Sequence, residues 1–460
     1  MPESSYDCVV IGSGPGGYVA AIRSAQLGMK TAVIEKGNVG GRCLNEACIP
    51  AKAFLRVAEV FDEVNNAKDF GISVNGATFD FKGAVKHRDK VVKTLTGGVS
   101  MLFEKNKIDF IEGLGALTEE GNVRIGASKD GTEYEAGAVV LACGSVPKPV
   151  LDLQFGDRVL DTAGTWLLNE QPKRLAVIGA GASGTEVASA YGRLGTEIVL
   201  LEALDQILPL EDADIAKACA REVAKQNVKI VTGAKVEGVD AGKSSAKVTY
   251  NGETEEFDYL CIAAGRAPDV DGLGLDEAGI KREDSGLIKV DGHLRTSKER
   301  VWAIGDMVPG PALAHKASDE GIIAVEDAAG KETQPIDYQF VPAVTFCHPQ
   351  VASFGMTEKE ARDAGHDVVV GKVPLGAVGA PTVYGDRSGM IKIVGEKKYG
   401  ELLGGHIVSV KAADLIEELV VARELEGGFP EVARTIHPHP TFAEAVMEAA
   451  RAADGWLIHG

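Results

Sequence analysis

Two stretches of this chain are near copies of one another, and that duplication limits the fold more than any other feature. The first is YDCVVIGSGPGGYVAAIRSAQLGMKTAVIEK, residues 6–36, and the second is RLAVIGAGASGTEVASAYGRLGTEIVLLEA, residues 174–203. Gly12, Gly14, Gly17, Gly28 and Glu35 recur as Gly179, Gly181, Gly184, Gly195 and Glu202, each 167 residues later. Each copy opens on a short apolar run, which reads as a buried parallel strand. A glycine turn follows, then a helix of small and apolar residues that ends near Gly28 or Gly195. The second apolar runs, TAVIE and EIVLLE, are strands that end in an acid.

This pattern is the dinucleotide-binding fingerprint. The first glycine permits the tight turn, the second lets backbone approach a pyrophosphate, and the third lets helix pack closely on strand. The helix N-terminus then offers free N–H groups and a positive dipole end to the phosphates. The acid, 23 residues beyond the first glycine, accepts hydrogen bonds from ribose hydroxyls. One glycine turn is also a common structural device. Two copies with strand, helix and acid specify two dinucleotides, and so an electron relay between a bound flavin and a diffusible nicotinamide.

The 460 residues exceed what one core usually supports, so two to four domains are expected. A net charge of -19 argues against nucleic acid or an anionic membrane surface as the main partner. No apolar run approaches the roughly 20 residues that span a bilayer. The opening MPESSYDC has neither a basic region nor an apolar signal core, so a cytoplasmic protein or an already processed organellar form is expected, the cytoplasmic one preferred. Seven cysteines, at 8, 43, 48, 143, 219, 261 and 347, are too sparse for a secreted disulfide framework.

Only Cys43 and Cys48 are close in sequence, within GGRCLNEACIPAKAFLRVAEVF. An amphipathic helix is predicted from Pro50 to about Val64. Cys48 therefore lies near a helix N-terminus, where the dipole favours the nucleophilic thiolate. A structural disulfide and a zinc site are the alternatives. The first is rare in a reducing compartment, and the second needs about four ligands that no nearby cluster supplies. Directly after a dinucleotide unit, redox chemistry is the favoured reading, and no metal is expected.

The segment GGxCLNxxCIPxKA resembles the redox-active region of the flavin disulfide reductases, the flavin-dependent pyridine nucleotide-disulfide oxidoreductases. The likeness continues through ACGSVPKP (142–149), CIAAGRAPD (261–269), VWAIGDMVPGPALAHKASDEG (301–321) and ARTIHPHPTFAEAVMEAA (433–450), covering essentially the whole chain. It implies an α/β fold: two Rossmann-like domains, for FAD and NAD, and a C-terminal α+β interface domain. The expected regions are 1–147 (FAD), 148–267 (NAD), 268–335 (FAD again) and 336–460 (dimerisation). The CLN segment, AHKAxDEG and HxHPTxxE most resemble members that oxidise protein-bound dihydrolipoyl groups and pass the electrons through a disulfide and FAD to NAD.

By that resemblance, Cys43 and Cys48 form the redox disulfide, with Cys43 meeting substrate and Cys48 beside the flavin. Lys52 pairs with Glu186 near the flavin. His439 is the acid–base, preferred over His437 because it directly precedes Pro-Thr, and Glu444 orients it. FAD is assigned to Gly12, Gly14, Gly17, Glu35, Lys36, Gly41, Arg42, Lys52, Gly115, Cys143, Gly144 and Ser145. The second flavin motif adds Gly305, Asp306, Leu313, Ala314 and His315. NAD is assigned to Gly179, Gly181, Gly184, Glu202, Val236, Ala264, Gly265 and Arg266. A homodimer is implied, serving a lipoyl-bearing protein of a 2-oxoacid dehydrogenase or glycine-cleavage system.

Arg42, Ala47, Cys143 and Ser183 depart from the usual pattern without removing a catalytic group. Arg42 is expected either to face the flavin phosphates, where a guanidinium fork fits, or to be a solvated loop arginine. The rivals are weaker. Glutathione reductases use NADPH and want arginines just after the second acid, but Glu202 is followed by ALDQIL. Mercuric reductases carry a further cysteine pair near the C-terminus, whereas the last cysteine here is Cys347. A non-catalytic flavoprotein scaffold would not need Cys43, Cys48, His439 and Glu444 together.

Overall fold

The computed structural model describes residues 4–126, 131–151 and 153–460; the first three residues of the N-terminal segment lie outside them. Both copies of the repeat fold as the periodicity predicts. Strand Ser4–Ile11 pairs in parallel with Thr31–Glu35, and Arg174–Ile178 with Glu197–Leu201. The register is also duplicated. Cys8 opposes Thr31 and Ile11 opposes Ile34, as Leu175 opposes Ile198 and Ile178 opposes Leu201. The helices Pro15–Gln26 and Ala182–Arg193 stop just before Gly28 and Gly195, whose φ of +88° and +97° suit glycine.

The third glycine of each copy has a steric reason. A Cβ on Gly17 would stand 1.9 Å from the Gly12 carbonyl oxygen, and one on Gly184 would stand 1.9 Å from that of Gly179. Only hydrogen fits, so each helix docks directly on its own turn. Gly14 and Gly181 differ: a Cβ there would meet nothing within 4 Å.

The chain forms two compact units. The first takes Met1–Pro50, Lys86–Lys148 and Gly265–Tyr338. Its sheet runs Asp109–Glu112, Thr31–Glu35, Ser4–Ile11, Glu133–Leu141, with Val301–Ala303 added in parallel beside the last. Val123–Ile125 and Gly115–Leu117 extend it antiparallel. Helix Ala314–Ala328 packs on Pro15–Gln26 through glycines: a Cβ on Gly16 would lie 2.8 Å from the Ala317 oxygen, and one on Gly321 2.6 Å from that of Gly16.

The second unit takes Ala51–Val85, Pro149–Ala264 and Gln339–Gly460. It holds a five-stranded parallel sheet ordered Val228–Val231, Glu197–Leu201, Arg174–Ile178, Tyr259–Ile262, Val159–Asp161. It also holds an antiparallel sheet ordered Ala343–Thr345, Gln350–Gly355, Leu402–Ser409, Met390–Glu396, Val368–Pro374. Strands Gln350–Gly355 (QVASFG) and Met390–Glu396 (MIKIVGE) carry apolar runs legible as strands. Leu402–Ser409 is less legible because Gly404 and Gly405 read as turn residues. In place they let neighbours close in: a Cβ on Gly404 would be 2.1 Å from the Met356 oxygen.

The helix predicted from Pro50 starts two residues earlier, as Cys48–Asn65. Proline is accommodated as its third residue because the first four helical N–H groups have no intrahelical acceptor to lose.

The two kinds of glycine predict different tolerances. Gly184→Val should cost about 3 kcal/mol or more by overpacking. Gly181→Ala should change stability by less than about 0.5 kcal/mol. Thermal unfolding of both variants checks this; equal losses would show that the turn does not depend on the close approach.

Candidate active site

In the first unit the glycine turn is held from three sides. Glu35 closes it: one carboxylate oxygen accepts from the Ser13 N–H and Oγ–H, both at 2.8 Å, and the other from the Gly37 N–H at 2.8 Å. The Gly40 N–H donates to Ser13 Oγ at 3.1 Å. Gly41 then lies against the turn so closely that a Cβ would be 2.7 Å from the Gly14 Cα. These contacts bring the short helix Gly41–Asn45, with Arg42 and Cys43, onto the dinucleotide turn. Both cysteines are partly buried, and Cys48 is the first residue of its helix.

Neither Gly14 nor Gly181 provides a side-chain cap for the helix it starts, and the space beside each is open. Backbone donors facing open space at a helix N-terminus fit the phosphates of FAD and of NAD. The second unit repeats the acid's arrangement. Glu202 accepts from the Ala180 N–H at 2.7 Å and the Leu204 N–H at 3.0 Å. Val236 opens the strand that follows Ala234, whose N–H donates to the Glu202 carbonyl.

Of the other residues assigned to FAD, all but Lys52 gather in the first unit, and Lys52 lies in the second. Ser145 donates its hydroxyl to Asp306. Lys36 pairs with Asp269 at 2.7 Å. The Cys143 N–H donates to Met307 Sδ at 3.1 Å, and desolvation pushes its thiol up to about 12. Gly115 fits between Ile11 and Ile34, either methyl of which a Cβ would meet at 3.1 Å. Leu313 caps helix Ala314–Ala328, and His315 is exposed in its first turn.

Arg266 stands apart from its NAD assignment. It lies in the first unit, where Nε donates to Ser145 Oγ at 2.7 Å and is 4.0 Å from the Asp306 carboxylate. The cause is strand pairing. Arg266–Pro268 runs antiparallel to Ser145–Pro147, which carries the arginine back beside Asp306. Ala264 ends a segment of the second unit and Gly265 begins one of the first.

In the second unit Lys52 Nζ donates to both oxygens of Glu186 at 2.9 Å. Glu186 also accepts from the Phe346 N–H at 2.8 Å, and the Phe346 ring lies 4.6 Å from the ammonium. His439 Nδ1 is 2.9 Å from Glu444 Oε1, while Glu444 Oε2 accepts from the Thr441 N–H. The His439 side chain is 75% exposed, leaving its other nitrogen toward solvent. Burial opposes ionisation of Glu444, but the Thr441 N–H and His439 outweigh it and hold the carboxyl below its usual range. His437 is only 4% exposed, with Nε2 at 2.6 Å from Glu418 and Nδ1 on the Thr435 carbonyl. Its ring is thus enclosed and paired, whereas that of His439 is open to solvent.

A family profile described as pyridine nucleotide-disulphide oxidoreductase matches residues 6–321, and the dimerisation domain of that family matches residues 341–450. The chain belongs to this family. It is similar to the dihydrolipoyl dehydrogenase of Geobacillus stearothermophilus, 40% identical over 98% of this chain and 97% of the relative. The enzymes of that name from Bacillus subtilis (strain 168) and Thermus scotoductus are each 41% identical, over 98% and 99% of this chain and 97% and 99% of theirs. Among solved structures it is similar to LpdA from Mycobacterium tuberculosis, with a TM-score of 0.89 at 27% identity over 96% of this chain and 99% of that one. The HOCl-induced flavoprotein disulfide reductase RclA from Escherichia coli gives 0.86 at 27%, over 96% and 98%.

Two residues of this family member went unassigned from sequence although their motif was noted. Lys316 and Glu320 are fully buried and paired at 3.0 Å. Lys316 donates to the Gly305 carbonyl at 2.8 Å and Glu320 accepts from the Gly305 N–H at 2.7 Å. Tyr338 donates to Glu320 at 2.6 Å. Together they grip the residue before Asp306 from both sides. The legible signal was Lys and Glu at i,i+4 on a helix face otherwise built of small residues.

The His437–Glu418 pair makes a pH prediction. The Glu418 hydrogen bond raises the His437 pKa against the opposing effect of burial. Its stabilisation is therefore complete below the unfolded value and lost as pH rises through the raised one. The thermal midpoint of His437→Asn should lie further below wild type at about pH 6 than at about pH 9. A gap that widens with pH would contradict the pairing.

Proposed function

We propose that this chain oxidises protein-bound dihydrolipoyl groups to the lipoyl disulfide and delivers the electrons through FAD to NAD. The observation that carries the reading is its similarity to dihydrolipoyl dehydrogenases across nearly the full length of both chains. The residues this chemistry needs, Cys43, Cys48, Lys52, Glu186, His439 and Glu444, are all present in the sequence.

Bound FAD supplies two-electron transfer between a dithiol and NAD, the final hydride acceptor. The chain supplies position and proton control. Gly12, Gly14 and Gly17, with the following helix N-terminus, hold the flavin pyrophosphate and Glu35 its ribose. Gly41, Arg42, Gly115, the 143–145 turn, Asp306 and the start of helix Ala314–Ala328 complete the flavin cradle, and Arg266 joins them through Ser145. Gly179, Gly181, Gly184, Glu202, Val236, Ala264 and Gly265 hold NAD. Lys52 is held by Glu186 through both carboxylate oxygens.

Dithiol exchange follows from the remaining groups. His439 takes the proton from an incoming thiol, its ring oriented through Nδ1 by the Glu444 carboxylate. The resulting thiolate attacks Cys43, and the Cys43–Cys48 bond breaks. The substrate's second sulfur then displaces Cys43, forming the lipoyl disulfide and leaving the chain's pair reduced. The acidic pair partner of His439 stabilises the imidazolium between these steps.

A homodimer with shared sites is part of this proposal. A dimerisation domain spans residues 341–450, and on it Ile436 is 95% exposed beside the two histidines, with Val421 and Leu425 also exposed. Buried against a second copy, these side chains would stabilise association. Among the described residues, no helix is long and apolar enough to cross a membrane. We place the activity in the cytoplasm, where sparse, unpatterned cysteines are usual, serving a lipoyl-bearing subunit of a 2-oxoacid dehydrogenase or glycine-cleavage system.

Glu202 predicts the acceptor. A carboxylate that faces the ribose accepts from its 2′-hydroxyl and repels a 2′-phosphate. kcat/KM for NAD should exceed that for NADP by at least about 100-fold; equal values would place the acid away from the ribose. The shared site is tested by mixing Cys48→Ser with His439→Gln under subunit exchange. Heterodimers should hold one doubly damaged and one intact site, so activity on dihydrolipoamide should return. Exchange confirmed by mass without activity would mean that His439 serves its own chain.

A further inference from the structure

A second pair of cysteines, 128 residues apart in sequence, meets inside the second unit. Cys219 Sγ and Cys347 Sγ are 3.7 Å apart, and the two residues are 0% and 2% exposed. Cys219 lies on helix Ala213–Val223, which is tied to the antiparallel sheet: Lys392 bonds Asp212 at 2.8 Å and Asp214 at 2.9 Å. Cys347 lies in the turn between strands Ala343–Thr345 and Gln350–Gly355. Both sulfurs are thus carried on anchored elements already in contact.

The neighbours of Cys347 are what give the pair a consequence. Phe346 donates its N–H to Glu186, and its ring lies beneath the Lys52 ammonium. On the other side, the His348 N–H donates to Ser189 Oγ at 3.0 Å. Glu186 and Ser189 are one turn apart on helix Ala182–Arg193, so residues 346–348 are strapped along that helix. Cys347 also lines a cavity of about 160 Å³ with Lys52, Arg56, Arg193, Phe346 and His348. That is ample for a small hydroperoxide.

We propose that Cys219 and Cys347 form a second redox centre, which hydrogen peroxide oxidises to a disulfide, and that its closure shifts the strap positioning Glu186 and Lys52. The Cys347 thiolate attacks one peroxide oxygen, the O–O bond breaks, and water leaves after taking up a proton, giving a sulfenic acid. Cys219 sulfur then attacks Cys347 sulfur; the S–O bond breaks and the hydroxyl leaves as water with the Cys219 proton. In sum two thiols lose two protons and two electrons, and one peroxide becomes two waters. Closing from 3.7 Å to the roughly 2.05 Å of a disulfide draws the Cys347 turn toward the helix. The Cys347 pKa is raised well above the usual thiol value, first by its hydrogen bond with Cys219 and then by burial. Oxidation is therefore slow at neutral pH and accelerates with alkalinity.

The experiment treats the holoenzyme with hydrogen peroxide, alkylates the unfolded chain and maps its peptides by mass. The Cys219 and Cys347 peptides should emerge joined, unalkylated and lighter by about 2 Da than the sum of the two thiol forms, and dithiothreitol should release them. Turnover on dihydrolipoamide should fall about tenfold as the link forms and recover on reduction, since small displacements at a site are costly. Cys219→Ala, or Cys219→Ser if alanine folds poorly, should keep basal turnover and lose less than about twofold under the same peroxide. Absence of the link, with Cys347 alkylated or oxidised alone, overturns the centre. A link with unchanged turnover, or equal inactivation of the Cys219 variant, overturns the coupling. The mass readout needs no substrate, so its failure is separate from any failure of the dihydrolipoyl reading.

Discussion

The carbonyl oxygens of Gly12 and Gly179 stand where the Cβ of any larger residue at 17 or 184 would be. Those two contacts set the helix against the strand in each half of the repeat, and most of the chemistry depends on them. With the helix docked on its own turn, a side chain added at Gly14 or Gly181 would meet nothing within 4 Å, which leaves room beside each helix start. Glu35 and Glu202, one strand over, reach back to hold the same turns. In the first unit the arrangement extends outward: Ser13 links Glu35 to Gly40, and Gly41 rests on Gly14. The segment that carries Cys43 is therefore built directly upon the first glycine turn.

Charges inside the two units serve position more than stability. Taking Lys316 and Glu320 out of water is expensive, and a buried pair of this kind often repays little net energy. Their bonds go to the Gly305 N–H and carbonyl, and so they set where Asp306 stands. Lys52 and Glu186 act similarly, with the Phe346 N–H holding Glu186 as the third point. Both partners of the first pair and Glu186 of the second also bind backbone, which converts a flexible side-chain contact into a fixed geometry.

Much of the site was legible because its signals are local. The glycine spacing, the acids at Glu35 and Glu202, and the choice of His439 over His437 were readable from short segments. The choice of histidine came from the neighbouring Pro-Thr; in the structure His437 is the more buried of the two rings and pairs with Glu418. That Arg266 lies beside Ser145 and Asp306 was not legible, because its strand turns back along Ser145–Pro147, a pairing over more than a hundred residues. Lys316 and Glu320 sat within a recognised motif, yet burial alone distinguishes them from a surface i,i+4 pair.

By itself the sequence determined that the chain binds two dinucleotides, that one cysteine pair follows the first, and that a His–acid pair closes the chain. These follow from backbone needs and spacings within some thirty residues, where sterics and helix geometry leave few choices. The tertiary structure alone decided that Phe346 holds Glu186 across 160 residues and that Cys219 meets Cys347 across 128. Such contacts arise from how sheets and helices pack. No local pattern encodes them, because the residues they join are near only once the cores between them have formed.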